Sequence, residues 1–167
     1  MFGGWVGALL SIGTVVLPLS NCSGPLPDLP IEQGPVVRVV DGDTIDVDTG
    51  GVEPVRVRVL GIDTPEVYGD KECWGSEASA FAREVLDGQE VRLESDLAQG
   101  DADRYDRALR YVILPDGSNY SLLVVESGNA YNATDYPVRI TPELADAELH
   151  ARASELGFWG PSCDGER

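Results

Sequence analysis

The sequence predicts an α+β domain: a small five-stranded Greek-key β-barrel with about three helices. Three observations carry this. β-rich runs succeed one another over residues 36–60, broken by Asp-Gly and Gly-Gly turns. The apolar period then lengthens to helical spacing before two further strand-like runs. A length of 167 residues, with 19 Gly and 11 Pro, suits one domain of strands, turns and a few helices.

In chain order, Val36-Val37-Arg38-Val39-Val40 is β-rich and ends at an Asp-Gly turn. Thr44-Ile45-Asp46-Val47-Asp48 alternates apolar and polar residues up to the hairpin signal Thr49-Gly50-Gly51. Val55-Arg56-Val57-Arg58-Val59-Leu60 sets valines on one face and arginines on the other. Ala78, Phe81, Ala82, Val85 and Leu86 recur at helical spacing and Gly88 supplies a stop, which predicts a helix over 76–87. Residues 90–94 and 108–114 read as strands, the second reaching the turn Pro115-Asp116-Gly117. A short helix over 121–127 stops at Gly128, and Thr141-Pro142-Glu143, an N-cap followed by an N1 proline, opens a last helix that runs to Gly157. Strands interrupted by one helix and followed by more helix suggest a barrel of the OB type.

The first 21 residues carry no charged side chain, and residues 6–19 form an apolar run. This predicts a secretory signal over 1–21, the alternative being a buried N-terminal segment. Leu19-Ser20-Asn21-Cys22 resembles a lipoprotein cleavage site with Cys22 as the lipidated residue, although Asn21 stands where a smaller side chain is usual. Residues 22–34, Pro-rich and polar, read as a linker, residues 35–163 as the domain and 164–167 as a tail. The expectation is an exported protein, extracellular or lipid-anchored at the cell surface, touching membrane only through that anchor. With Cys22 assigned, Cys73 and Cys163 either pair, closing a loop of roughly 90 residues, or stay as two buried thiols.

Lys+Arg number 12 against 29 Asp+Glu, a net charge of −17, and Lys71 is the sole lysine. Such a surface works against binding a phosphate backbone, which depends on cations. An Asp-rich, Lys-poor surface also suits high salt, where repulsion is screened within about 3 Å at 1 M. The expectation is therefore a source adapted to salt.

Against that acidic background stand two clusters, Val40-Asp41-Gly42-Asp43-Thr44 and Ile62-Asp63-Thr64-Pro65-Glu66. Asp41, Asp43 and Asp63 offer oxygen ligands of the kind Ca²⁺ or Mg²⁺ requires, with no His or Cys nearby to favour zinc or copper. Arg58 and Arg107 can hold a phosphodiester and stabilise charge growing on its oxygens, and Glu66 can take a proton from water. Each piece has a plainer reading: solvated carboxylates in turns, and arginines paired with acidic neighbours. A further condition is geometric, because Arg58 and Asp63 are five positions apart and face opposite sides of a regular strand. They converge only if Gly61 introduces a bulge or Asp63 lies past the strand's end. His150, the single histidine, falls in the last helix.

Together these motifs resemble staphylococcal-type thermonucleases, an OB-fold family. The resemblance runs from about Val36 to Trp159 and includes Gly75-Ser76-Glu77-Ala78-Ser79-Ala80-Phe81, Asp103-Arg104-Tyr105-Asp106-Arg107 and Gly157-Phe158-Trp159. It implies Ca²⁺-dependent cleavage of DNA and RNA to 3′-phosphate ends by a monomer, with one Ca²⁺ preferred over Mg²⁺. Asp43, Asp63 and the Thr64 carbonyl would bind the ion with Asp41 assisting, Arg58 and Arg107 would contact the scissile phosphate, and Glu66 would be the base. Arg104 and Tyr105 would meet substrate, with Tyr136 or Tyr131 as a further stacking ring. Two departures stand out: Asp106 occupies a position where Gly is common, and residues 67–74 form a shorter loop whose sole cation is Lys71. The alternatives are a catalytically inactive module of this fold that binds oligonucleotide or protein at the cell surface, and a Ca²⁺-stabilised interaction domain. The second leaves Arg58, Arg107 and Glu66 without a task.

Overall fold

A computed structural model describes residues 1–3 and 32–165. The signal segment beyond residue 3, Cys22 and the linker up to residue 31 lie outside the described residues. The core is a closed barrel of five strands in the order β1-β2-β3-β6-β5: β1 (Glu32–Val39), β2 (Thr44–Val47), β3 (Val55–Val59), β5 (Glu90–Glu94) and β6 (Ala108–Ile113). Neighbours are antiparallel except β3 and β6, which run parallel. Three α-helices, α1 (Gly75–Leu86), α2 (Tyr120–Glu126) and α3 (Thr141–Ala153), complete the α+β architecture expected of the OB type. Alternation along the strands explains the packing: Ile45, Val47, Val57, Val59 and Val112 turn inward and are buried. Ala82 and Leu86 of α1 join the same core.

The barrel closes by a device that the sequence conceals. β1 begins at Glu32, inside the stretch read as linker, and Glu32 to Pro35 pair with β5 while Val36 to Val39 pair with β2. A register shift between Val36 and Arg38 bends the strand so that it serves both neighbours. Gly34 permits the bend, since a Cβ there would lie 1.8 Å from the Asp48 carbonyl oxygen. Buried Arg110 fastens the new edge, with Nε 2.7 Å from a Glu32 carboxylate oxygen and Nη2 2.7 Å from Asp101.

Further differences lie outside the barrel. Two short strands, β4 (Ile62–Asp63) and β7 (Tyr131–Asn132), pair antiparallel and are too brief to show a period. The last helix stops at Ala153 rather than Gly157: Glu155 turns left-handed (φ +53°), and Gly157 begins a 3-10 turn, η1 (Gly157–Trp159). Thr141 is the first residue of α3, with Ile140 at the cap, and its hydroxyl bonds the backbone of Val138 instead. Tyr131, Phe158 and Cys163 form a second apolar cluster with Trp74 and Trp159 against it. There Cys73 and Cys163 are joined in a disulfide, their Cα atoms 5.9 Å apart. The stretch read as tail starts within the fold, since the Gly165 amide donates to the Phe158 carbonyl at 2.8 Å. No helix among the described residues is long and apolar enough to cross a membrane.

Candidate active site

The first acidic cluster is a tight turn between β1 and β2. The Asp43 amide donates to Asp41 Oδ1 at 3.1 Å, and the Val40 amide to the Thr44 carbonyl at 2.9 Å. Beneath it the buried Tyr120 hydroxyl donates to the Gly42 carbonyl at 2.8 Å. Gly42 lets the second cluster press against this turn, since a Cβ there would meet the Thr64 side chain at 2.6 Å. Asp43 thus lies within reach of Thr64: its Oδ2 accepts from the Thr64 amide at 3.2 Å and hydroxyl at 3.3 Å. Its Oδ1 accepts from the Thr44 hydroxyl at 3.0 Å.

The convergence of Arg58 with Asp63 comes from the turn after β3. Gly61 (φ +79°) carries the turn between β3 and β4, which places Asp63 past the end of β3, and a Cβ there would strike Leu144 at 2.7 Å. Arg58 Nη1 donates to the carbonyls of Val59 and Ile62, both at 2.8 Å. Its Nη2 lies 3.3 Å from Asp43 Oδ2 and 3.3 Å from Asp63 Oδ1. One guanidinium therefore sits between two carboxylates, one brought by the β1–β2 turn and one by β4.

Negative charge still exceeds positive here. Burial pushes the Asp43 carboxyl above its ordinary range; Arg58 opposes the shift and Asp41 adds to it. Glu66 is raised as well, first by partial desolvation and then by Asp43, Asp41, Asp63 and Glu72. Among the described residues no group of three or more Asp, Glu, His or Cys side chains is arranged to hold a metal ion. Asp41, Asp43 and Asp63 are oxygen donors of the kind a hard cation takes, but the fold does not gather them into a closed site. Arg58 offsets part of the charge on Asp43 and Asp63, and a divalent ion would neutralise what remains on the four carboxylates Asp41, Asp43, Asp63 and Glu66.

Across the cleft, Arg107 is positioned by Asp103, four residues before it. Asp103 Oδ1 accepts from the amides of Tyr105 at 2.9 Å and Arg107 at 3.0 Å, and Oδ2 from Arg107 Nε at 2.8 Å, with Nη2 at 2.7 Å. Burial alone would raise the Asp103 carboxyl, but these bonds and the Arg107 charge hold it below the usual range. Arg107 Nη1 lies 3.3 Å from Thr44 Oγ1, the oxygen that donates to Asp43, so Thr44 links the two halves of the site. Between Arg58 and Arg107 opens a cleft of about 430 Å³ that Arg104, Tyr105, Tyr136 and Gln99 also line. Tyr105 and Tyr136 are exposed, and the Arg104 guanidinium stands 4.8 Å from the Tyr105 ring centroid. Tyr131, the alternative stacking ring, is instead buried, 4.2 Å from the Phe158 ring. His150 is on α3, outside the cleft.

Three contributors escaped sequence reasoning. Asp103 carried a local signal, an acid followed four residues later by Arg in a turn-rich stretch. Thr44 and Tyr120 carried none, because their roles depend on elements distant in sequence.

Residues 56–161 match the family described as staphylococcal nuclease homologues. A thermonuclease of Staphylococcus intermedius is 36% identical over 164 residues, covering 90% of this chain and 94% of that protein. A micrococcal nuclease of Shigella flexneri is 32% identical over 135 residues, covering 76% of this chain and 73% of the relative. An uncharacterized protein of Bacillus anthracis is 36% identical over 132 residues, which span 76% of this chain and 60% of the relative's length. A match that runs from β3 to beyond η1, on a closed five-stranded barrel with three helices, makes the chain a member of the staphylococcal nuclease homologue family.

Proposed function

We propose that this protein is a metal-dependent nuclease that hydrolyses phosphodiester bonds of DNA and RNA, with Ca²⁺ as the ion. The observation that carries the reading is the position of Arg58, 3.3 Å from both Asp43 and Asp63, with Glu66 in the same field and Arg107 facing across the cleft. Asp43, Asp63 and the Thr64 carbonyl would hold the ion, with Asp41 beside them, and bound there it supplies Lewis acidity at a nonbridging phosphate oxygen. The remaining chemistry belongs to side chains. Arg58 and Arg107 grip the phosphate and meet the charge that builds on its oxygens. Glu66 takes the proton of the attacking water. Water's oxygen bonds to phosphorus, the bond to the 5′ oxygen breaks, that oxygen takes a proton from solvent to leave as a 5′-hydroxyl, and a 3′-phosphate end remains. Arg104, Tyr105 and Tyr136 offer the flanking nucleotides a cation and two exposed rings.

The test is cleavage of DNA and RNA by the protein with Ca²⁺, with Mg²⁺ and with chelator, across a salt series. Cleavage that requires Ca²⁺ and persists as salt rises is expected. Cleavage unaffected by chelator contradicts the metal role, and activity that collapses on adding salt contradicts adaptation to salt.

We also propose export, as a monomer anchored through lipid on Cys22. The Cys73–Cys163 disulfide supports this reading, because such bonds persist in oxidising compartments. Mass spectrometry of the mature N-terminus tests it: a chain still beginning at Met1 contradicts export.

A further inference from the structure

We propose that Glu72 is a positioning residue for Glu66 and that the Cys73–Cys163 disulfide locks it there, so that the oxidation state of this bond sets the turnover of the site. The inference rests on the nuclease reading above. After Pro65 the chain leaves the barrel, loops out and returns as α1. Glu66 and Glu72 close the base of that loop with two reciprocal bonds. The Glu66 amide donates to Glu72 Oε2 at 3.0 Å, and the Glu72 amide donates to the Glu66 carbonyl at 3.0 Å. Gly75 adds close packing, since a Cβ there would lie 2.4 Å from the Glu66 carbonyl oxygen. The backbone of the proposed base thus takes its place from residues 72–75 as well as from the barrel.

Residues 72–75 are not held by helix propensity. α1 opens on a glycine with no side-chain cap, and Trp74 just before it is left-handed (φ +72°), a conformation rare for a bulky residue. Such strain persists only where the surroundings over-determine it. Here they do so through long-range ties: Trp74 packs against the Tyr131 and Phe158 cluster, its Nε1 donates to Asn129 Oδ1 at 2.8 Å, and Cys73 is bonded to Cys163, 90 residues away. Glu72 is the immediate neighbour of Cys73. A dithiol that reduces the bond gives up two electrons and two protons, the S–S bond breaks to two thiols, and the dithiol closes to its own disulfide. The covalent one of these ties is then gone. Trp74 relaxes, and Glu72 withdraws from Glu66. Arg58 and Arg107 do not touch residues 72–75, so phosphate binding survives while the base drifts.

The experiment compares the oxidised full chain with protein reduced by dithiothreitol, well below its melting temperature. It measures amide hydrogen exchange by NMR and cleavage of DNA with Ca²⁺. Reduction is expected to speed exchange at Glu66 and Glu72 at least about tenfold while β2 and β6 stay protected. It is also expected to lower kcat at least about tenfold with KM within about twofold, and reoxidation restores both. E72A should lower kcat in oxidised protein and remove the response to reduction, whereas E72Q, which keeps an acceptor, should retain wild-type kcat. Unchanged exchange at Glu66 on reduction overturns the proposal. So does a loss of protection spread over the whole barrel, which would make the bond a clamp on the fold, and so does E72A with wild-type kcat. If oxidised wild type cleaves no nucleic acid with any metal, the nuclease reading fails, and the exchange rates alone decide whether the disulfide positions Glu66.

Discussion

Arg58 and Arg107 face the same cleft and are held in opposite ways. Arg58 projects from a barrel strand, and two backbone carbonyls and two carboxylates fix its guanidinium. Arg107 sits at the end of an exposed turn, and its grip comes from one carboxylate, Asp103, with Thr44 beyond. The first arginine also neutralises charge that the fold has buried, and the second does not. An arginine that serves both site and scaffold is costly to remove twice over, whereas one presented on a turn costs only its chemistry.

Arg58→Ala breaks the symmetry of this comparison most strongly. Its rate of DNA cleavage should fall at least ~10²-fold, as removal of one charge-stabilising donor does. In chelator the protein should also lose about 3 kcal/mol of stability, because Asp43 stays buried without its counter-charge. Urea titrations with and without Ca²⁺ check this, and the ion should restore part of the loss. Arg107→Ala should lose a similar ~10²-fold in rate with a change in stability within about 0.5 kcal/mol. A large drop in stability here would erase the distinction between the two arginines. Asp103→Asn should lower the rate about tenfold by loosening Arg107 and have little further effect in an Arg107→Ala background.

The smallest effect concerns acid, away from the cleft. Burial alone would raise the Asp96 carboxyl, but bonds from the Arg139 amide, the Tyr111 hydroxyl and the Ala98 amide hold it below its ordinary range. A lowered carboxyl contributes stability that is complete above the unfolded-state value of about 3.9 and lost as pH falls through the folded one. Melting temperature should therefore drop below about pH 4, and Asp96→Asn should flatten this limb while costing about 1–3 kcal/mol at neutral pH. An unchanged acid limb in the variant would remove Asp96 from the account.

The strands over 55–59 and 90–94 were legible because each turns one face inward and alternates accordingly, whereas those over 44–47 and 108–113, buried along most or all of their length, were marked by β-rich composition and flanking turns. The start of β1 was not: Gln33-Gly34-Pro35 has the composition of a linker, and what makes it a strand is pairing with β5 and the bond from Arg110 to Glu32. The end of α3 was misplaced for a similar reason. Gly157 has the look of a helix stop, but its place is set by contact with Gly128, where a Cβ would lie 1.9 Å from the carbonyl oxygen. At the site, residue types and spacing made the acids and arginines visible, and of the two ways in which Arg58 and Asp63 could converge the fold uses the second, since β3 ends at Val59 and Asp63 lies beyond it in β4. The supports were hidden, because Tyr120 under Gly42, Thr44 between Asp43 and Arg107, and Glu72 against Glu66 are meetings that only the fold arranges.

The central claim is that these side chains hydrolyse a phosphodiester with Glu66 as the base. The most direct measurement is the rate of DNA cleavage by wild type and Glu66→Ala at saturating Ca²⁺. A wild-type rate abolished by chelator and at least ~10²-fold above the variant is the predicted result. Equal rates in the two proteins, or none in either, would contradict it.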